Sequence, residues 1–202
     1  MLQQLLVATS NPGKQSELHR LLSGLGWETV TPKDLGISLS DLEENEDYQE
    51  NAIMKAQIAA SRSGLVALAD DSGLEVDALE GAPGPLSARY GGEGLSDGDR
   101  VRLLLSQIQE APRNLRKARF RCVIAVARPG GEVWTCEDVV EGDIAYEPRG
   151  EGGFGYDPIF RPSGSKLTMA ELPAEKKDDL SHRGRALRRA WPLLRRLALD
   201  EV

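Results

Sequence analysis

The chain has 202 residues, of which 40 % are hydrophobic and 28 % charged. That is an ordinary globular composition, long enough to bury a core without disulfides or metal clips. Twenty-five Lys and Arg against 32 Asp and Glu give a formal charge of −7, which argues against a nucleic-acid partner but leaves room for an anionic ligand at a local cation cluster or a metal.

No apolar run approaches the roughly 18 residues of a membrane span. Met1-Leu2-Gln3-Gln4 carries no basic residue ahead of its short apolar stretch and does not read as a signal peptide. Two cysteines, Cys122 and Cys136, cannot form a disulfide framework. The expected compartment is the cytoplasm, with no membrane association.

Leu5-Leu6-Val7-Ala8 is the first buried-strand candidate, and Thr9-Ser10-Asn11-Pro12-Gly13 follows as a turn. A helix is predicted from about Lys14 to Leu25, because Leu18, Leu21, Leu22 and Leu25 share one face. Trp27–Thr31 reads as a strand, and residues 33–47 as an acidic loop. The Ala-rich stretch Tyr48–Ser63 predicts a helix stopped by Gly64. Leu65–Ala69 is the next strand, ending in Asp70-Asp71, after which the Gly- and Pro-rich segment Gly73–Gly94 is expected to wrap the surface.

Ser96–Ile108 has helical periodicity, and Phe120–Ala127 and Glu132–Val140 form a hairpin pattern around Arg128-Pro129-Gly130-Gly131. Gly150–Tyr156 is a second glycine-rich loop. The final helix is predicted from about Ser181, with Leu187, Ala190, Trp191, Leu194, Leu197 and Ala198 as its apolar stripe and Pro192 kinking or interrupting it. This order implies an α/β protein with a mixed sheet, and residues 1–202 read as a single lobed domain.

Five clusters have chemical potential. Thr9 to Lys14 joins a strand to a helix, where backbone N–H groups and a lysine attract anions; the alternative is a plain capping turn. The spacing is not that of a Walker A loop. Glu43, Glu44, Glu46, Asp47 and Glu50 repel one another unless solvated or neutralised by a divalent cation. Asp70-Asp71-Ser72-Gly73 sits at the carboxyl end of a strand, where open α/β sheets bind ligands. If the strand persists, the two aspartates face opposite ways.

Gly152-Gly153-Phe154-Gly155-Tyr156-Asp157-Pro158 is either a stacking platform or a loop anchored by buried aromatics. Lys176-Lys177 and Ser181-His182-Arg183-Gly184 supply donors, with a structural histidine as the alternative. The arginines farther along the last helix read as a solvated face, and the cysteines as core thiols.

Five segments, in order, resemble the inosine/xanthosine triphosphate pyrophosphatase family. They are Ala8–Lys14, Ala69-Asp70-Asp71-Ser72-Gly73-Leu74, Ser87-Ala88-Arg89-Tyr90, Phe154–Pro158 and Ser181–Gly184. The resemblance runs from residue 5 to about 190. It departs at Ser10, where the family carries glycine and where a positive φ would strain a serine, and at Lys176, which precedes the better-spaced Lys177.

The resemblance implies an elongated mixed sheet with flanking helices and two lobes around a central nucleotide cleft. It implies Mg²⁺-dependent hydrolysis of ITP, dITP and XTP to the monophosphate and pyrophosphate by a homodimer. On matching positions, Thr9, Ser10, Asn11, Pro12, Gly13 and Lys14 would hold phosphates. Asp71 would be general base and metal ligand, and Ser72 would touch substrate. Phe154, Gly155, Tyr156, Asp157, Lys177, His182 and Arg183 would bind the nucleotide and its base. Glu43, with Glu44 next, would complete the metal site.

The chemistry is coherent. Inosine and xanthosine present a 6-keto acceptor and an N1–H donor, so fixed donors and acceptors would reject adenine. The rivals are a Maf-like pyrophosphatase acting on dTTP or UTP and a non-catalytic nucleotide sensor.

Overall fold

A computed structural model describes residues 2–39 and 45–199. Strands β1 (Gln3–Val7), β2 (Trp27–Val30), β3 (Val66–Val76), β4 (Lys117–Ala127), β5 (Val133–Ile144) and β6 (Phe160–Pro162) form one sheet in the order β2-β1-β3-β4-β5-β6. Both β2 and β3 run parallel to β1, whereas β6 is antiparallel to β5. The expected mixed α/β sheet is therefore present. The helices are α1 (Pro12–Leu22), α2 (Tyr48–Ser63), α3 (Asp97–Gln107), α4 (Ala174–Leu180) and α5 (His182–Leu197).

The chain divides into two units, each built from segments distant in sequence. The first comprises residues 1–71, 122–138 and 183–202, and the second residues 72–121 and 139–182.

In the first unit, strand alternation sorts side chains onto two faces. Leu5, Val7, Val66, Leu68, Cys122 and Ile124 pack with Leu18, Leu22, Leu187 and Leu194 of α1 and α5. Leu6, Ala8, Ala67, Ala69, Val123 and Ala125 pack with Ala52, Ala56, Ala59 and Ala60 of α2. These alanines lie at i, i+4, i+7 and i+8, and their small side chains let the helix seat close to the sheet.

The second unit has its own core. Leu74, Val76, Leu104, Ile108, Phe120, Ile144, Ile159 and Phe160 are all buried there.

Local chemistry accounts for several boundaries. Asn11 caps α1 by accepting from the Lys14 N–H at 3.1 Å, and Pro12 occupies the first helical position, where no N–H is needed. Asp47 caps α2 in the same way, and Gly64 ends it in the left-handed conformation at φ 71°. A reciprocal box of Ser96 and Asp99 starts α3. Of these helices, α2 has its expected limits and α3 is within a residue of them.

Other expectations need correction. Helix α1 stops at Leu22, because Gly24 and Gly26 adopt positive φ, leaving Leu25 buried but outside the helix. Strand β3 runs past Asp70-Asp71 to Val76. The segment from Gly73 therefore does not simply wrap the surface, and Leu74, Val76 and Ser87 are buried. Helix α4 and strand β6 had no counterpart in the sequence reading. Helix α5 continues through Pro192. Burial of Leu187, Ala190, Leu194 and Leu197 on either side of it outweighs a proline penalty of about 3 kcal/mol. Both cysteines are free thiols, Cys122 buried and Cys136 half-buried.

Candidate active site

The first unit carries the turn between β1 and α1. The Asn11 N–H donates to Thr9 Oγ1 at 3.2 Å, and Gln15 Nε2 donates to the Thr9 carbonyl at 2.7 Å. These bonds hold residues 9–14 in one shape at the positive end of α1. Ser10 is not among the residues with positive φ, so replacing the family glycine creates no strain of that kind. Lys14 reaches Asp70 Oδ2 at 3.1 Å.

The two aspartates of β3 diverge as strand geometry demands. Asp70 follows Val66 and Leu68 onto the α1/α5 face. There Arg183 Nε and Nη2 donate to its Oδ2 at 3.1 and 3.0 Å, and Arg183 Nη1 donates to Glu17 Oε2 at 2.5 Å. Arg183 is 2 % exposed, and Asp70 and Glu17 are equally buried. Burial alone would push the Asp70 carboxyl up, but the Lys14 and Arg183 charges outweigh it and hold it well below the usual carboxylate range.

Asp71 follows Ala67 and Ala69 onto the α2 face, at 4 % exposure. Asn51 Nδ2 donates to its Oδ2 at 3.1 Å, and Lys55 Nζ meets its Oδ1 at 2.8 Å. Here burial dominates and pushes the carboxyl above the ordinary value, although Lys55 and Lys14 partly offset it. A buried carboxylate with raised basicity, oriented by two donors, has the character of a general base. Ser72, next on β3, is half-buried.

The second unit carries the aromatic loop. Asp157 accepts from the Phe154 N–H at 2.8 Å and from the Lys177 ammonium. That ammonium also lies 4.8 Å from the centre of the Phe154 ring, within cation–π range. Lys177 is 5 % exposed, whereas Lys176 is exposed. Gly153, at φ 71°, makes room for this arrangement, since a Cβ there would collide with the Asp157 carboxylate. The Gly155 N–H donates to Asp97 Oδ2 at 2.8 Å.

Tyr156 is buried, and its hydroxyl donates to the Ser87 carbonyl at 3.0 Å. Ser87 Oγ in turn accepts from the Leu74 N–H at 2.8 Å. Tyr156 and Ser87 are thus anchors of this unit. His182 is also buried, with its ring stacked on Phe120 at 4.6 Å and 7°.

Three residues of these networks escaped the sequence reading. Asn51 and Lys55 stand at i and i+4 on α2, a spacing that puts both on one face, but nothing local pairs them with an aspartate. Glu17 sits among leucines of α1 and reads as a solvent residue until Arg183 is placed beside it. Glu43 and Glu44, the expected companions of Asp71 at a metal, lie outside the described residues. Among the described residues, no three His, Cys, Asp or Glu side chains cluster as a metal site, and no helix is long and apolar enough to cross a membrane.

Known proteins share this architecture along nearly its whole length. The Ham1 family matches residues 5–192. The dITP/XTP pyrophosphatase of Desulforamulus reducens is 48 % identical over 198 residues, covering 98 % of each chain. That of Bacillus subtilis is 43 % identical over 194 residues, covering 96 % of this chain and 98 % of its own. A HAM1 protein structure from Coxiella burnetii superposes with a TM-score of 0.84 at 40 % identity, covering 95 % of this chain and 98 % of that one. On this sequence match and this fold, the chain belongs to the Ham1 family.

Proposed function

We propose that the chain hydrolyses non-standard purine nucleoside triphosphates, dITP, ITP and XTP, to the monophosphate and pyrophosphate, cleansing the nucleotide pool. The observation that carries this reading is the buried Asp71 carboxylate, oriented by Asn51 and Lys55 and raised in basicity by burial. Its setting is a chain whose near-full-length relatives bear the name dITP/XTP pyrophosphatase.

Asp71 takes the proton of a water whose oxygen attacks the α-phosphorus. The bond to the bridging oxygen breaks, and pyrophosphate leaves. Lys14 and the N–H groups of residues 9–14 balance the phosphate charge. Phe154 offers the base a stacking surface, while Lys177, Asp157, His182 and Arg183 set the donors and acceptors around it. Arg183 serves from within its pairs with Asp70 and Glu17, so its effect includes holding the partner of Lys14 in place.

We assign Mg²⁺ as cofactor. One buried carboxylate plus substrate phosphates and waters is a donor set that Mg²⁺ accepts, and Asp71 would be its protein ligand, joined by Glu43 or Glu44. When bound, it would supply charge neutralisation at the phosphates and acidify the attacking water. The working form is taken as a cytoplasmic homodimer without a nucleic-acid partner, as the family resemblance implies.

The decisive experiment offers purified protein dITP, XTP, dGTP, dATP and dTTP, with and without Mg²⁺, and measures pyrophosphate separately from orthophosphate. Mg²⁺-dependent pyrophosphate from dITP and XTP, with little from the others, is expected. Asp71→Asn should lower that turnover by about 10²- to 10⁴-fold, as loss of a general base does. Orthophosphate as sole product, preference for dTTP, or an unimpaired Asp71→Asn enzyme would each overturn the assignment.

A further inference from the structure

The second unit holds a pocket of about 450 Å³ that shares no lining residue with the site described above. Four cationic side chains line it, Arg113, Arg116, Lys117 and Arg161, against one carboxylate, Asp143. In a chain of net charge −7 this is a local reversal of sign. The Asp143 charge is already met by Arg161, whose Nε and Nη2 donate to Oδ1 at 3.0 and 2.6 Å. Arg113 and Lys117 are exposed and make no ion pair among the described residues.

Arg116 is the most enclosed of these four cations. It is buried, and its Nε, Nη1 and Nη2 donate to the carbonyl oxygens of Ile144, Ile108 and Ala145 at 3.1, 2.8 and 2.9 Å. All three acceptors are neutral, so these bonds orient the guanidinium without cancelling its charge. Two of its five N–H groups remain beyond those three bonds. The Tyr146 ring lies over this guanidinium, 4.3 Å from it at the ring centre, yet Tyr146 is 68 % exposed. A tyrosine with a cation on one face and solvent on the other is a stacking platform next to positive charge.

Carbonyl capping explains Arg116 as a structural residue. It does not explain why three more cations and an exposed aromatic ring gather around it. Arginine forks match phosphate oxygens, and an aromatic face accepts any base.

We propose that this pocket is a second, peripheral nucleotide site. Arg113 and Lys117 take the phosphate group, and Tyr146 takes the base. Recognition there is of the phosphoryl anion and a π-face, not of a particular purine. The site therefore suits a nucleoside monophosphate, the class of compound that triphosphate hydrolysis releases.

The test is a binding measurement by NMR on protein labelled at its tyrosine rings, free of divalent cations and without turnover. The probes are AMP and inorganic pyrophosphate. AMP should shift the Tyr146 ring resonance saturably, and pyrophosphate should displace it. Arg113→Glu combined with Lys117→Glu should weaken both probes at least tenfold; these positions are exposed, so the fold is spared. Tyr146→Ala, read by isothermal titration calorimetry, should weaken AMP severalfold and leave pyrophosphate unchanged.

An unmoved Tyr146 resonance at millimolar AMP would overturn the proposal, as would unchanged affinity in the double variant. Unchanged AMP affinity in Tyr146→Ala would overturn the nucleotide site and leave a bare anion site. Because no step depends on catalysis, failure here is distinct from failure of the proposed reaction.

Discussion

Adjacent aspartates at the end of a buried strand are given opposite tasks by their surroundings. Asp70 is ion-paired on the α1/α5 face and held ionised; Asp71 is desolvated on the α2 face and made more basic. The difference lies in partners, two cations within bonding distance of Asp70 against one beside Asp71. A pH test follows for Asp70. Its folded pKa lies below the unfolded value of about 3.9. Its contribution is therefore complete above that value and declines as pH falls toward the depressed one. Asp70→Asn should cost roughly 3–5 kcal/mol at pH 7, because it takes the carboxylate from Lys14 and leaves buried Arg183 with Glu17 alone. The gap between wild type and variant should narrow steadily from pH 5 to pH 2. Urea midpoints across that range measure it, and a gap independent of pH would remove the ion network from the account of stability.

At the scale of elements, the sequence was most legible where local signals agree. Helix α2 has a capping aspartate, an alanine face and a terminating glycine, and all three point to the same span. It was least legible where distant residues decide. The apolar run of β3 ends at Ala69, yet the strand continues through two carboxylates whose cationic partners, Lys14, Lys55 and Arg183, are remote in sequence. Helix α4 reads AEKKDDL, which has no apolar periodicity, and β6 has three residues. The site motifs were visible as types and order, but not as partners, which is why Lys55, Asn51 and Glu17 were missed.

Gly142 shows the same limit. It faces Pro162 in the β5–β6 pairing, and a Cβ there would strike the Arg161 carbonyl and lie 2.6 Å from Phe160 Cζ. Gly142→Ala should therefore destabilise by about 1–3 kcal/mol. Gly130→Ala, where nothing lies within 4 Å, should stay within about 0.5 kcal/mol. Equal urea midpoints for the two variants would show that β6 does not pack as described.

At the scale of the whole molecule, net charge frames how the proposed substrate would be met. A triphosphate carries about four negative charges, and a chain of net charge −7 opposes its approach. On the proposed reading Mg²⁺ would remove part of that penalty, so nucleotide and metal should stabilise the protein together far more than either does alone. At a hundredfold excess over the dissociation constant, the expected gain is about 2.7 kcal/mol. For a chain of this size that corresponds to roughly 5–10 °C in Tm. A non-hydrolysable dITP analogue with Mg²⁺ in calorimetry provides the measurement. Lys14→Met should reduce that shift, because it removes the cation proposed to face the phosphates. A shift that needs no Mg²⁺ would remove the metal from this account of binding, and one that Lys14→Met leaves unchanged would remove Lys14.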